Sequence, residues 1–117
     1  MRKPPFHKSM LNAVTGLFWM LKSERNFQLE VLALLINMIL IVFLELNSFD
    51  AALIYIVCSS VLSFEILNTA IEKICDIINP EYDERIKFIK DIAAGAVLLA
   101  AFCSVIVGIL VYTKYIF

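Results

Sequence analysis

Glu65, Asn68, Glu72 and Asp76 stand at i, i+3, i+7 and i+11 in a stretch that is apolar and free of charge from Ala51 up to Glu65. At about 100° per helical residue these four fall within an arc of roughly 80°, so one face of one helix carries them all. Two further polar groups sit at the starts of other apolar runs: Glu24-Arg25 before one and Lys90-Asp91 before another. Carboxylates, an amide and cations from three segments suit proton abstraction by a carboxylate. They also suit capture of a hard divalent cation such as Mg²⁺, which takes carboxylate oxygens together with substrate phosphates. Each group has a plainer reading as well. Glu65 alone could be a protonated carboxyl bonded to a neighbouring helix, Glu24 and Glu72 a solvated pair, and Lys90 an interfacial anchor.

The elements that must position these residues follow from composition. Of 117 residues, 62% are hydrophobic, and mean hydropathy is +0.87, against roughly 45–50% apolar residues in a soluble domain. Three Gly and three Pro leave little room for the turns of a β-barrel, so helices are the spanning elements, each satisfying its own backbone in lipid. Residues 1–117 are read as one all-α membrane domain. An amphipathic surface helix is expected over about 9–23, where Met10, Val14, Leu17 and Leu21 recur at helical spacing and Trp19, Lys8 and Lys22 suit the headgroup level. Three spans are expected over about 27–46, 51–78 and 92–112. Asn79-Pro80 ends the second, and Pro80 can open the next helix.

Counting about 1.5 Å per residue from Ala51, Glu65 lies about 21 Å into a hydrocarbon layer of about 30 Å, and Glu72 at about 31 Å, its boundary. An ionisable group inside a span is costly to keep, which makes Glu65 a candidate for function. Nine of the ten Lys and Arg residues precede the first span or lie between the second and third, leaving only Lys114 for the other side. The positive-inside tendency therefore directs the N-terminus and the acidic cluster to the cytoplasm. Asn37, mid-span, reads as an interhelical hydrogen-bonding residue, and the stripe Ala96, Ala100, Ser104 and Gly108 as a packing face. Three helices cannot enclose a site for two substrates, so an oligomer is expected.

Several classes are disfavoured. Nucleic acid is an unsuitable partner for a chain of net charge −1. His7 is the single histidine and Cys58, Cys75 and Cys103 are scattered, which argues against a zinc site. Neither a G-x-x-x-x-G-K-[ST] loop nor a protein-kinase glycine loop is present.

The run Glu65-Ile-Leu-Asn-Thr-Ala-Ile-Glu72-Lys-Ile-Cys-Asp76 resembles the signature of the prokaryotic diacylglycerol kinase family, which includes the undecaprenol kinases. The resemblance extends to Ser23-Glu-Arg-Asn-Phe-Gln28, to Glu81-Tyr82 and to Lys90-Asp-Ile-Ala-Ala-Gly-Ala-Val97. It implies a homotrimer in the bacterial cytoplasmic membrane that transfers phosphate from ATP to a lipid hydroxyl with Mg²⁺. Matched by position, it implies Glu65 as general base, Glu24 and Glu72 as metal ligands, and Asn68, Tyr82, Lys90 and Asp91 beside Glu24 and Glu72 in the nucleotide site. Glu65 and Glu30 would meet the lipid substrate.

The S-E-R-N-F-Q run, the Thr of N-T-A-I-E and the A-A-G-A-V start of the third span look like the undecaprenol branch. Glu30 looks like the diacylglycerol branch, and Asn12 stands where the family carries tyrosine or histidine. A small proton-coupled transporter built on one intramembrane glutamate, or an accessory subunit without chemistry, are the competing classes.

Overall fold

The computed structural model describes residues 2–117, with Met1 outside the described part. It consists of α1 (Phe6–Ser23), α2 (Arg25–Phe43), α3 (Ser48–Ile78) and α4 (Glu84–Ile116), with no strand among the described residues. The all-α reading holds, and α2, α3 and α4 are each long and apolar enough to cross a membrane. α3 lies between α2 and α4 and packs on both, while α1 packs on α2.

α3 and α4 each begin at a side chain that satisfies an orphan backbone amide. Asn47 caps α3 by accepting from the Asp50 amide at 2.8 Å, after Glu45 has turned the chain in the left-handed region at φ 55°. Asp83 caps α4 by accepting from the Arg85 amide at 2.8 Å, and the Arg85 guanidinium returns to the same carboxylate at 2.9 Å. The Arg85 hydrogen bonds hold the Asp83 carboxyl down at about 2, so the cap stays ionised at every pH the membrane meets. Pro80 does not open α4. Asn79 is extended before it, as the proline requires, and residues 79–83 turn before Asp83 starts the helix.

The helix bounds differ from the expected spans, mostly by running longer, although α2 stops short of its expected end. α1 starts at Phe6 instead of about 9, α2 covers Arg25–Phe43 instead of 27–46, α3 starts at Ser48 instead of 51, and α4 covers Glu84–Ile116 instead of 92–112. Hydropathy marks where lipid is, whereas a hydrogen-bonded helix runs on into water until a cap stops it. α4, at 33 residues, is about 50 Å long at 1.5 Å per residue, well beyond a bilayer's hydrocarbon.

The buried face of α3 is one stripe, Asp50, Ile54, Val61, Glu65, Asn68, Thr69 and Cys75, polar at both ends and apolar between them. Asp50, expected in the turn between the first two spans, is instead in the first turn of α3 and only 2% exposed. Its carboxylate accepts from Lys114 Nζ at 2.9 Å and from Tyr115 Oη at 2.7 Å, and Tyr115 Oη in turn accepts from the Asn47 amide at 3.1 Å. This cluster ties the start of α3 to the end of α4. Tyr112 Oη donates to Asn37 Oδ1 at 2.6 Å, which joins α2 to α4 and bears out the role expected of Asn37. Ala96, Ala100, Ser104 and Gly108 are half-buried, yet a Cβ on Gly108 would meet nothing within 4 Å. The approach there is loose. Apolar side chains such as Phe43, 79% exposed, and Leu98, 72% exposed, point outward, where lipid replaces water as solvent.

Because Tyr112 makes the hydrogen bond between α2 and α4, Tyr112→Phe is expected to lower stability in detergent micelles by about 0.5–1.5 kcal/mol. A thermal unfolding midpoint below that of the unaltered protein checks it.

Candidate active site

The acidic cluster forms within one chain, at the end of the bundle that carries the basic residues. Glu65 is 5% exposed and Asn68 8% exposed. Glu30, from α2, stands within hydrogen-bonding range of Glu65, and Glu24 and Glu72 are near enough to act on its charge. Asn68 Nδ2 donates to Glu72 Oε1 at 3.2 Å, which fixes the Glu72 side chain one helical turn away. Asn68 Oδ1 is buried without a hydrogen-bond partner among the described residues. A buried acceptor left open in this way is suited to a donor brought by a ligand.

Glu24 reaches the cluster because the chain breaks there. It is at once the C-cap of α1 and the N-cap of α2, extended at φ −106° and ψ 113°. No proline or glycine lies nearby to cause the break. Gln28 stabilises it from α2: Nε2 donates to Leu21 O at 2.9 Å and Lys22 O at 3.3 Å, satisfying two of the last carbonyls of α1. A second tie runs from α3, where Lys73 Nζ sits 5.3 Å from the centre of the Trp19 ring, a cation–π distance. α1 is thereby latched over the acidic end of α3, with Met20 its one buried residue.

The basic rim is mostly committed to ion pairs. Lys87 Nζ meets Asp91 Oδ2 at 2.6 Å and Lys90 Nζ meets Asp76 Oδ1 at 2.8 Å. Asn79, Tyr82, Lys87 and Lys90 share an open depression at the α3–α4 turn. Tyr82 and Asp91 line its neighbour with Lys87 and Phe88, on the turn side of the rim. The structure therefore gathers Glu24, Glu30, Glu65, Asn68 and Glu72 into one cluster and places Tyr82, Lys90 and Asp91 along the adjoining rim.

Among the described residues no three His, Cys, Asp or Glu side chains converge into an all-protein metal cage. Two carboxylates, Glu24 and Glu72, with an open acceptor on Asn68, would suit a hard cation that completes its shell with phosphate oxygens and water. Mg²⁺ carried by a nucleotide fits that description.

Below the cluster, a cavity of about 220 Å³ opens between α2, α3 and α4, bordered by Glu30, Asn37, Ile54, Cys58 and Val61. It joins Glu30 to the middle of the membrane, so an apolar tail could enter with its polar head beside the carboxyls. Gln28, Trp19 with Lys73, and Asp50 with Lys114 escaped the sequence reading. Asp50 alone left a trace, as an acidic residue three positions after a capping Asn47.

The sequence profile described as prokaryotic diacylglycerol kinase matches residues 11–112. The chain belongs to that family. It is 36% identical over 107 residues to the undecaprenol kinase of Bacillus subtilis (strain 168), covering 92% of this chain and 87% of the relative. It is 35% identical over 97 residues to a diacylglycerol kinase of Synechocystis sp., covering 82% of this chain and 55% of the relative. With the diacylglycerol kinase of Escherichia coli (strain K12) it shares 33% over 84 residues, covering 72% and 69%. As a member of the prokaryotic diacylglycerol kinase family it is a lipid kinase, and the transporter reading falls away. The accessory-subunit reading goes with it.

If Gln28 holds the elbow that presents Glu24, Gln28→Ala will open it. Trypsin cleavage after Lys22 and Arg25 in micelles should accelerate roughly threefold or more, as followed by mass spectrometry. Unchanged cleavage would show that the elbow stands without Gln28.

Proposed function

We propose that the enzyme phosphorylates undecaprenol to undecaprenyl phosphate with ATP and Mg²⁺, at the cytoplasmic face of a bacterial cytoplasmic membrane. The observation that carries the reading is the cluster itself: a carboxyl 5% exposed in a spanning helix, Glu65, with Glu24 and Glu72 close by on the water side of the same chain. Phosphoryl transfer asks mainly for positioning and charge neutralisation, which such an arrangement supplies.

The lipid lies along the spans with its hydroxyl at Glu65 and Glu30. Glu65 takes the hydroxyl proton as the oxygen forms its bond to the γ-phosphorus, the bond from that phosphorus to the β–γ bridging oxygen breaks, and ADP leaves. The proton passes from Glu65 to water afterwards. Glu24 and Glu72 would hold Mg²⁺, which when bound would neutralise charge on the ATP phosphates. Asn68 keeps Glu72 oriented through its amide, and Tyr82, Lys90 and Asp91 receive the nucleotide along the rim. The basic residues that flank the first span and join the second to the third support a cytoplasmic placement of this end. A homotrimer closes the site, as expected where three spans border two substrates.

The preference for undecaprenol rests on the S-E-R-N-F-Q and N-T-A-I-E runs and on the likeness to the B. subtilis undecaprenol kinase over most of both chains. Diacylglycerol is the second reading, favoured by Glu30, whose carboxyl reaches Glu65. Purified protein in mixed micelles with labelled ATP and Mg²⁺, offered each lipid in parallel, separates them. Undecaprenol should take label at least about tenfold faster. Faster labelling of diacylglycerol would reverse the assignment, and no label in any lipid would overturn the proposal. Glu72→Gln should raise the Mg²⁺ concentration for half-maximal rate roughly tenfold or more, and an unchanged metal titration would count against Glu72 as a ligand.

A further inference from the structure

We infer that Asp76 is a positioning residue for Lys90, holding its ammonium group across the mouth between α3 and α4 until a nucleotide phosphate takes the aspartate's place. The inference rests on the kinase reading above and gives a role to the one residue of the acidic stripe that reading leaves idle.

The 2.8 Å contact between Lys90 Nζ and Asp76 Oδ1 joins the last turns of α3 to the second turn of α4. The other cations of this rim are engaged elsewhere: Arg85 with Asp83 in its own turn, Lys87 with Asp91 along its own helix, and Lys73 over Trp19. Lys90 alone among them is paired with the acidic stripe of α3.

The position of Asp76 is poor for helix stability. The C-terminal end of α3 carries the negative end of the helix dipole, and no basic residue occupies its last turn, so a carboxylate there is unfavourable until a cation from elsewhere answers it. Lys90 supplies that cation.

The pair is also built to exchange. The side chains of Lys90 and Asp76 are 36% and 56% exposed, and an ion pair in contact with water holds only weakly. A triphosphate is a stronger acceptor than one carboxylate and can displace it.

Glu72, one turn before Asp76, is also close enough to act on Lys90. Without Asp76 the ammonium has Glu72 as its next partner, where it would neutralise a carboxylate the site needs free. Asp76 therefore does two things through Lys90. It keeps the lysine stem ordered near its working position, and it keeps the ammonium off Glu72.

Steady-state kinetics on the full-length enzyme in mixed micelles, at saturating lipid and Mg²⁺, test the inference. Asp76→Asn should raise the KM for ATP roughly five- to tenfold and leave kcat within about twofold. Asp76→Glu should recover most of that loss. The double variant Asp76→Asn/Lys90→Ala should have the same KM as Lys90→Ala, because the aspartate then has nothing to position. An unchanged KM in Asp76→Asn, or losses that multiply in the double variant, would overturn the inference. So would a lowered thermal midpoint with a fallen kcat and a constant KM, the pattern of a merely structural residue. Absence of lipid phosphorylation by the unaltered enzyme would instead bring down the kinase reading and this inference with it.

Discussion

In lipid the hydrophobic effect does not draw helices together, so close packing and polar groups buried between helices must do the holding. The fold follows from that constraint. Tyr112 with Asn37, and Asp50 with Lys114 and Tyr115, tie the three spans at one end. At the other end the same stripe of α3 presents Glu65, Asn68 and Glu72. There the polar groups are not used up on one another, since Asn68 Oδ1 remains open. The end with Asp50 is a closed clasp, and the end with Glu65 is a site.

The site depends on a break as much as on a helix. α1 and α2 could have formed one continuous helix, yet Gln28 stabilises the interruption at Glu24 by taking two carbonyls of α1. The interruption lets Trp19 of α1 meet Lys73 of α3 and brings Glu24 near enough to act on Glu65. A surface helix, a kink and a span thus deliver one carboxylate to a position that a straight helix would carry away from the cluster.

The periodic parts of this arrangement were legible in the sequence. The spacing of Glu65, Asn68, Glu72 and Asp76 was enough to place them on one face, and the apolar runs were enough to give three spans and a surface helix. The starts of α3 and α4 are not legible from hydropathy, because Asn47 and Asp83 begin those helices through side-chain caps to which hydropathy is blind. Asp50 was read as a turn residue because a buried carboxylate needs a partner, and its partners, Lys114 and Tyr115, lie 64 and 65 positions away. Gln28 left no pattern at all, since a side chain reaching back six or seven residues across a break follows no helical period. Resemblance to the prokaryotic diacylglycerol kinases supplied roles that the bare residues left open, as for Glu24, whose plain reading was a solvated charge.

We propose Glu65, 5% exposed in a spanning helix, as the proton acceptor, with the nucleotide held by other residues. The most direct measurement is Glu65→Gln, assayed for lipid phosphorylation and, on the same preparation, for equilibrium binding of ATP with Mg²⁺. Removing a general base should lower turnover by roughly a hundredfold or more, while ATP affinity stays within about threefold of the unaltered enzyme. Turnover that survives the substitution, or ATP binding that fails in step with it, would contradict the role given to Glu65.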